Sequence, residues 1–198
     1  MFALTIDQRS SRARPDRVPE LLDLLDDLDT VLPFERTAGD ELQGMIAAPE
    51  TVIAAVERVL RSRDWSVGLG IGSVERPLPG SVREARGEVL LRARDAVEAA
   101  KKVASVHLAV CGTSASAASE VEALLRLVGA VLRRRTAVQW KVIDAVTAAG
   151  SRTAAAERLG ITVQAISKSL LASADDVVRD VYPLLAQLLR AADERSGE

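Results

Sequence analysis

Residues 152–170 have the types and spacing of a helix, a tight turn and a second helix, a motif that places its second helix in the major groove of DNA. Ala156 is small enough for two crossing helices, and Gly160 has the conformational freedom to end the first one. Thr162 is a favourable N-cap for the second helix, and Ile166 fills the angle between the two. The spacing therefore predicts a DNA-binding helix-turn-helix.

The second helix of this motif carries short and polar side chains that suit base edges and phosphate groups. Ile161, Ile166 and Leu170 are expected to form its apolar underside. A helix, a glycine turn and a helix also occur in helical bundles that bind no nucleic acid, which is the alternative interpretation. The predicted DNA contacts of the motif are Arg152, Thr162, Val163, Gln164, Ser167 and Lys168.

Basic residues are concentrated around the motif. Residues 133–170 contain seven basic and two acidic residues, a net charge of +5, whereas the whole chain has a net charge of −2. A local positive charge in an acidic protein suits a polyanionic partner such as double-stranded DNA. We therefore add Arg133, Arg134 and Arg135 to the predicted DNA contacts, with a solvated helix end as the alternative for these three.

Apolar side chains recur at helical spacing on both sides of the motif. Residues 119–134 and 137–148 predict two preceding helices, and residues 175–192 predict a leucine-rich final helix. Pro183 should kink that helix or divide it in two. The final helix either closes the domain internally or pairs with a second copy, and two-fold pairing on DNA half-sites favours a homodimer.

The remaining composition excludes several classes of protein. The chain has one cysteine, Cys111, and one histidine, His107, too few for a disulfide framework or a Cys/His zinc site. We interpret both as strand residues. No apolar run approaches the roughly 18 residues of a membrane helix, and the N-terminus lacks a signal-peptide pattern. These features predict a cytoplasmic protein without a membrane partner.

Strand and helix patterns alternate in the first part of the chain. They predict strands at 2–6, 65–74 and 104–110, a hairpin at 34–47, and helices at 18–32, 51–61 and 82–102. The fold class is therefore α+β, with helices on a mainly antiparallel sheet. Gly68, Gly70 and Gly72 would allow a helix or a ligand to approach closely. The small, polar residues 113–119 predict a linker between domains at 1–112 and 120–198, the second entirely helical.

Three segments of the first part are similar to a known family. Residues 36–42 resemble the signature hairpin of the GGDEF diguanylate cyclases, residues 67–72 its following strand, and residues 93–101 its closing helix. The resemblance implies a ferredoxin-like palm fold. It also implies that Asp7 and Asp40 hold Mg²⁺. The nucleotide-binding residues that it implies are Asp7, Gly39, Asp40, Glu41 and Lys101.

Asp7, the Ser11-Arg12 pair, the hairpin residues 39–41 and the C-terminal helix-turn-helix together resemble the SatD-like bacterial proteins, which combine a cyclase-type domain with such a motif. Ala38 replaces a glycine of the cyclase hairpin, and Gln8 and Arg9 stand where a second acidic residue is expected. The resemblance therefore implies a degenerate palm domain that requires no cofactor and whose ligand is Mg²⁺ or a nucleotide. The alternative for Asp40 and Glu41 is a polar turn tip.

These features favour a DNA-binding transcriptional regulator that is not an enzyme, with an N-terminal domain that senses a nucleotide or mediates association. The alternative is a magnesium-dependent nucleotidyl-transfer enzyme tethered to DNA, with Glu41 as a general base. A third interpretation is a protein-interaction module that uses the leucine-rich final helix. Magnesium-dependent turnover and duplex binding distinguish the three.

Overall fold

A computed structural model describes residues 1–194, apart from the side chain of Arg12. Within these residues the chain forms five β-strands, eight α-helices and a short 3₁₀ helix, Ser11–Ala13. The strands are β1 Phe2–Gln8, β2 Leu32–Ala38, β3 Glu41–Ile46, β4 Trp65–Ile71 and β5 Leu108–Gly112. The helices are α1 Val18–Leu25, α2 Pro49–Leu60, α3 Glu88–Lys101, α4 Ala115–Leu132, α5 Ala137–Ala149, α6 Arg152–Leu159, α7 Val163–Ser173 and α8 Asp175–Glu194.

The five strands form one mixed sheet in the order β2-β3-β1-β4-β5. All neighbours are antiparallel except β4 and β5, which are parallel and are connected through α3. In the register of the sheet, Asp7 at the end of β1 lies opposite Glu41 of β3 and Ser66 of β4. The predicted α+β class and the mainly antiparallel sheet are confirmed.

Both faces of the sheet are covered by helices, as the burial along β1 shows. Phe2, Leu4 and Ile6 belong to the large core that also holds side chains of α1, α2 and α4. Ala3 faces the other way, into a cluster with residues of α3. The central strand is therefore buried on both sides, and only its ends are free to form a site.

The backbone of α3 lies directly against β4, at the glycines singled out from the sequence. A Cβ atom at Gly68 would lie 2.2 Å from the backbone nitrogen of Val97, and one at Gly70 would lie 2.1 Å from the carbonyl oxygen of Val89. Only glycine permits this approach. A helix, rather than a ligand, occupies the space that these two glycines leave.

Two predicted helices are shorter in the structure. The segment 18–32 is helical only to Leu25, because the acidic Asp26 and Asp27 follow, where the helix dipole disfavours negative charge, and β2 begins at Leu32. The segment 82–102 becomes helical only at Glu88, because Gly87 has a φ of 142° and cannot be part of a helix. The strand predicted at 104–110 begins at Leu108, because residues 104–106 bend the chain; Cys111 lies in β5 as predicted, whereas His107 does not. The hairpin and the other elements lie close to their predicted positions.

The segment predicted as a linker, residues 113–119, is mostly the start of α4. The side chain of Ser114 caps this helix by accepting a hydrogen bond from the backbone N–H of Ala117. Ala117 and Ala118 are buried. Their small size lets the helix pack on β5, so the alanine-rich composition reflects helix packing and not a flexible connection.

The final helix packs inside the molecule. α8 contacts α2 and α4, and its Val178, Leu185 and Leu189 lie in the same buried cluster as the residues of the sheet. Pro183 does not divide α8 in two. Residues 195–198 of the predicted second domain lie outside the described residues. Within residues 1–194, no helix is both long enough and apolar enough to cross a membrane.

Candidate nucleic-acid interface and adjoining cleft

Two short helices, α6 and α7, are joined by three residues at the predicted motif. Gly160 follows α6 with a φ of 66°, in the left-handed region that glycine adopts without strain. The hydroxyl oxygen of Thr162 accepts a hydrogen bond of 3.1 Å from the backbone N–H of Ala165 at the start of α7. The turn and the cap are those that the spacing predicted.

A small apolar cluster holds α7 against α5 and α6. Ile166 is fully buried there with Ala155, Ala156 and Val142. Ile161 is 42% exposed, contrary to the expectation that it belongs to the apolar underside of α7, because it lies in the turn before the helix begins. Ile166 therefore determines which side of α7 faces solvent.

The predicted base-reading side chains lie on the solvent side of this helix pair. Thr162, Val163, Gln164 and Lys168 are exposed, and so is Arg152 at the start of α6. Ser167 is half-buried, and its hydroxyl oxygen accepts a hydrogen bond of 3.4 Å from Arg152 Nη1. The side chains present hydroxyl, amide and cationic groups, which suit base edges and phosphate groups.

The three consecutive arginines after α4 have different surroundings, and Arg135 corrects the sequence prediction. Its side chain is only 1% exposed, and its Nε donates a hydrogen bond of 3.0 Å to the carbonyl oxygen of Ser173. Its guanidinium lies 4.7 Å from the centre of the Trp140 ring, and Nη2 lies 3.3 Å from Asp175 Oδ1 without hydrogen-bond alignment. Arg135 is thus part of the interior and does not reach DNA.

Arg134 is exposed, as a DNA contact requires, whereas Arg133 is half-buried. The carbonyl oxygen of Arg133 accepts a hydrogen bond of 2.9 Å from Arg63 Nη2. Burial lowers the pKa of the Arg133 guanidinium, and the positive charges of Arg63 and Arg9 lower it further. Arg133 therefore lies beside other arginines of the first part of the chain.

A cleft of about 500 Å³ opens at the end of β1, and it brings together three residues predicted to bind a nucleotide. Asp7, Asp40 and Lys101 all line it, although they come from β1, the hairpin tip and the end of α3. Lys101 Nζ lies 3.0 Å from Asp7 Oδ2 and 2.7 Å from Glu98 Oε1. The sheet register and α3 thus place two carboxylates and an ammonium group at one opening.

The other two residues predicted to bind the nucleotide do not line the cleft. Gly39 forms the hairpin tip with a φ of 58°, and a Cβ atom there would meet nothing within 4 Å. Glu41 Oε1 accepts a hydrogen bond of 2.6 Å from the hydroxyl of Thr37. Gly39 therefore serves the turn, and Glu41 is held on the hairpin, where its charge still acts on Asp7.

Burial dominates the electrostatics of the cleft. It raises the pKa of the Asp7 carboxyl, whose side chain is 17% exposed, against the opposing effect of Lys101. The negative charges of Asp40 and Glu41 raise this pKa further. For Lys101, burial alone would lower the pKa, but hydrogen bonds to Glu98 and Asp7 outweigh it and raise the pKa. A buried carboxylate with a raised pKa beside other charges is common at binding sites.

The donor set of the cleft fits Mg²⁺ bound together with phosphate groups. Asp7 and Asp40 offer the carboxylate oxygens that Mg²⁺ prefers, and phosphates and water would complete its coordination. Lys101, whose Nζ lies 3.0 Å from Asp7 Oδ2, would supply a positive charge for a phosphate group. When bound, Mg²⁺ would neutralise phosphate charge, while Asp7 and Asp40 hold it in place.

Several lining residues were not predicted from the sequence: Gln8, Arg9, Ser10, Ser11, Ser66 and His107. His107 lies just before β5, and its Nδ1 lies 3.4 Å from the carbonyl oxygen of Ala100. Burial lowers the pKa of His107, and the charges of Arg9 and Arg133 lower it further. Ser11 belongs to the pair that carries the SatD-like resemblance, and the sequence signal for the others was their position next to Asp7 or near a strand.

The structure thus carries two separate candidate sites, an exposed polar face on α6 and α7 and a charged cleft at the end of β1. The first site is an exposed surface, which suits a large partner, and the second has a volume that suits a small ligand. Comparisons of the chain with models of protein families, with curated proteins and with solved structures found no match.

Proposed function

We propose that this protein is a DNA-binding transcriptional regulator that inserts α7 into the major groove of double-stranded DNA. The observation that carries the proposal is the exposed side of α7 with Gln164 and Lys168, opposite the buried Ile166. Gln164 has the amide geometry that pairs with adenine, and Lys168 and Arg152 suit phosphate groups. Arg134 extends the positive surface, whereas Arg135 takes no part.

We propose that the first part of the chain is a ferredoxin-like, palm-type domain of the SatD-like or GGDEF-like kind. The support is topological. The chain order β1-α1-β2-β3-α2-β4 with the antiparallel strand order β2-β3-β1-β4 is that of a split β-α-β sandwich. β5 extends this arrangement by one parallel strand. Asp7 at the end of β1 and Asp40 at the hairpin tip are the acidic residues that the resemblance implies.

In this proposal the cleft binds a nucleotide effector, with Mg²⁺ as its companion ion. Its volume of about 500 Å³ suits a small molecule, and its polar groups include two carboxylates and Lys101. Turnover is not required for this role. Glu41, the residue expected to act as general base in the enzymatic alternative, does not line the cleft and accepts a hydrogen bond from Thr37.

We propose that the regulator is a cytoplasmic homodimer. Val177 and Leu184 lie seven residues apart on α8, hence on one side of that helix, and are 60% and 50% exposed. Leu127 of α4 is also exposed. An apolar strip of this kind supports two-fold pairing, which would present two α7 helices to two half-sites.

The proposal is tested by selecting bound duplexes from a randomised pool and measuring the affinity of the full chain for the selected site and a scrambled one. Gln164→Ala is expected to weaken binding to the selected site by roughly 1–3 kcal/mol, about 5- to 150-fold, because a bidentate base contact is lost. Gln187→Ala, an exposed glutamine of α8, is the matched control and should bind as the wild type does.

Two results would overturn the proposal. The first is that the wild-type chain selects no duplex, and the second is that Gln164→Ala and Gln187→Ala bind the selected site equally well. Magnesium-dependent turnover of a nucleoside triphosphate that Asp40→Ala abolishes would instead assign an enzymatic function to the cleft.

A further inference from the structure

Three arginines from distant parts of the chain meet beside the cleft. Arg9 follows β1, Arg63 lies between α2 and β4, and Arg133 is the C-cap of α4. Arg9 Nη1 donates a hydrogen bond of 2.8 Å to the carbonyl oxygen of Arg63, and Arg63 Nη2 donates one of 2.9 Å to the carbonyl oxygen of Arg133. We call these residues the arginine cluster.

The arginine cluster has no carboxylate partner within the part of the chain that the structure describes: no carboxylate oxygen there lies within 4.0 Å of its guanidinium groups. Asp64, whose carbonyl oxygen accepts a hydrogen bond from the backbone N–H of Arg9, directs its carboxylate to Arg14 and Arg17 instead. Three guanidinium groups therefore share one region without an opposite charge, an arrangement that an anionic ligand would stabilise.

The arginine cluster is continuous with the cleft. Arg9 and His107 both line the cleft. The positive charges of Arg9 and Arg133 both lower the pKa of the His107 imidazole, so the three side chains are close together. Lys101 lines the same cleft. A ligand in the cleft would thus have an ammonium group at one position and the guanidinium groups of the cluster at another.

We propose that Arg9, Arg63 and Arg133 bind the terminal phosphate of a nucleoside triphosphate whose remainder, including the phosphates beside Asp7, Asp40 and Lys101, lies in the cleft. Guanidinium groups bind phosphate oxygens through paired N–H donors. Hydrogen bonds to backbone carbonyls hold the side chains of Arg9 and Arg63 in place before binding. This inference rests on the proposed nucleotide role of the cleft. It adds a consequence for regulation, because Arg133 ends α4, four residues before α5 and the helices proposed to bind DNA.

The test is a calorimetric titration of the full chain with ATP, GTP and inorganic tripolyphosphate, each with and without Mg²⁺. Arg63→Ala and Arg133→Ala are expected to weaken binding of the preferred triphosphate about tenfold or more each, since a hydrogen bond to a charged group contributes roughly 1.5–3 kcal/mol. Arg94→Ala, an exposed arginine of α3, is the matched control and should leave the affinity unchanged. Arg63 is exposed, so its variant tests the proposal even if Arg133→Ala does not fold.

A parallel titration with a 20-base-pair duplex separates this inference from DNA binding. Triphosphate binding that is lost in the cluster variants, together with duplex binding that is retained, supports the proposal. It is overturned if the wild-type chain binds no triphosphate, or if Arg63→Ala binds it as well as Arg94→Ala does. Loss of duplex affinity alone in the cluster variants would also overturn it, because the cluster would then belong to the DNA surface. None of these results changes the expectation for Gln164→Ala, on which the proposed DNA-binding function depends.

Discussion

The variant Arg135→Ala tests whether Arg135 stabilises the fold and does not bind DNA. Its guanidinium lies 4.7 Å from the centre of the Trp140 ring, and that of Arg61 lies 4.2 Å from the same centre. The ring thus interacts with one cation from the C-cap of α2 and another from the connection between α4 and α5. Arg135 therefore connects the helices of the proposed DNA-binding part to the rest of the molecule.

The expected cost of Arg135→Ala can be assembled from its contacts. A buried cation–π contact contributes about 1–2 kcal/mol, and the hydrogen bond from Arg135 Nε to the carbonyl oxygen of Ser173 contributes about 1.5 kcal/mol. Asp175 loses a neighbour but keeps Arg179, whose Nε lies 2.7 Å from Asp175 Oδ2, so its charge stays compensated. We expect a loss of about 3 kcal/mol in the free energy of unfolding.

For a chain of 198 residues, this loss corresponds to a decrease of roughly 6–12 °C in the thermal midpoint. Thermal unfolding followed by circular dichroism measures it, and Arg134→Ala is the control. That neighbour is exposed, so its substitution should change stability by about 0.5 kcal/mol or less. The reasoning is refuted if Arg135→Ala unfolds at the wild-type temperature and loses affinity for duplex DNA.

Three further substitutions test the packing and the charges of the fold. Gly70→Ala should lower the free energy of unfolding in urea by about 3 kcal/mol, because its Cβ would lie 2.1 Å from a carbonyl oxygen of α3. Gly80→Ala, whose Cβ would meet nothing within 4 Å, should leave the stability unchanged. Equal urea midpoints for the two variants would contradict the close packing of α3. Tyr182→Phe removes a hydrogen bond of 2.7 Å to Glu57 Oε2 and should lower the free energy of unfolding by about 1–2 kcal/mol in the same assay. An unchanged free energy would show that this bond contributes nothing. The pKa of Asp7 is raised in the folded state, so its ionisation destabilises the fold as pH rises above about 3.9. Asp7→Asn should therefore be more stable than the wild type at pH 7, with a difference that vanishes near pH 3; a less stable variant at pH 7 would refute this assignment.

Local patterns were sufficient to predict most of the elements around the proposed DNA-binding face. The turn at Gly160 and the cap at Thr162 depend on contacts within a few residues, and the apolar spacing of α7 indicated the buried Ile166, although Val142 of α5 also covers it. The hairpin was predicted for the same reason. The separate surroundings of Arg133, Arg134 and Arg135 could not be predicted, because they depend on Arg63 and Asp175, which are distant in the chain.

The cleft was predicted in part. Asp7 and Asp40 follow from the resemblance, and their proximity follows from the pairing of β1 with β3. His107 and the arginine cluster reach the cleft only because α4 and the connection before β4 pack beside β1. No short-range sequence pattern predicts that packing. The alanines of residues 113–119 were misread for a related reason, because small residues suit both a linker and a close helix contact.

The salt dependence of duplex binding tests the central claim most directly. Affinity of the full chain for its selected duplex is measured at several salt concentrations for the wild type, Lys168→Ala and the control Lys102→Ala, an exposed lysine that follows α3. If Lys168 contacts a phosphate in the complex, Lys168→Ala reduces the slope of log affinity against log salt by about 1, and Lys102→Ala leaves it unchanged. Equal slopes for all three proteins would contradict the claim that α7 lies on DNA.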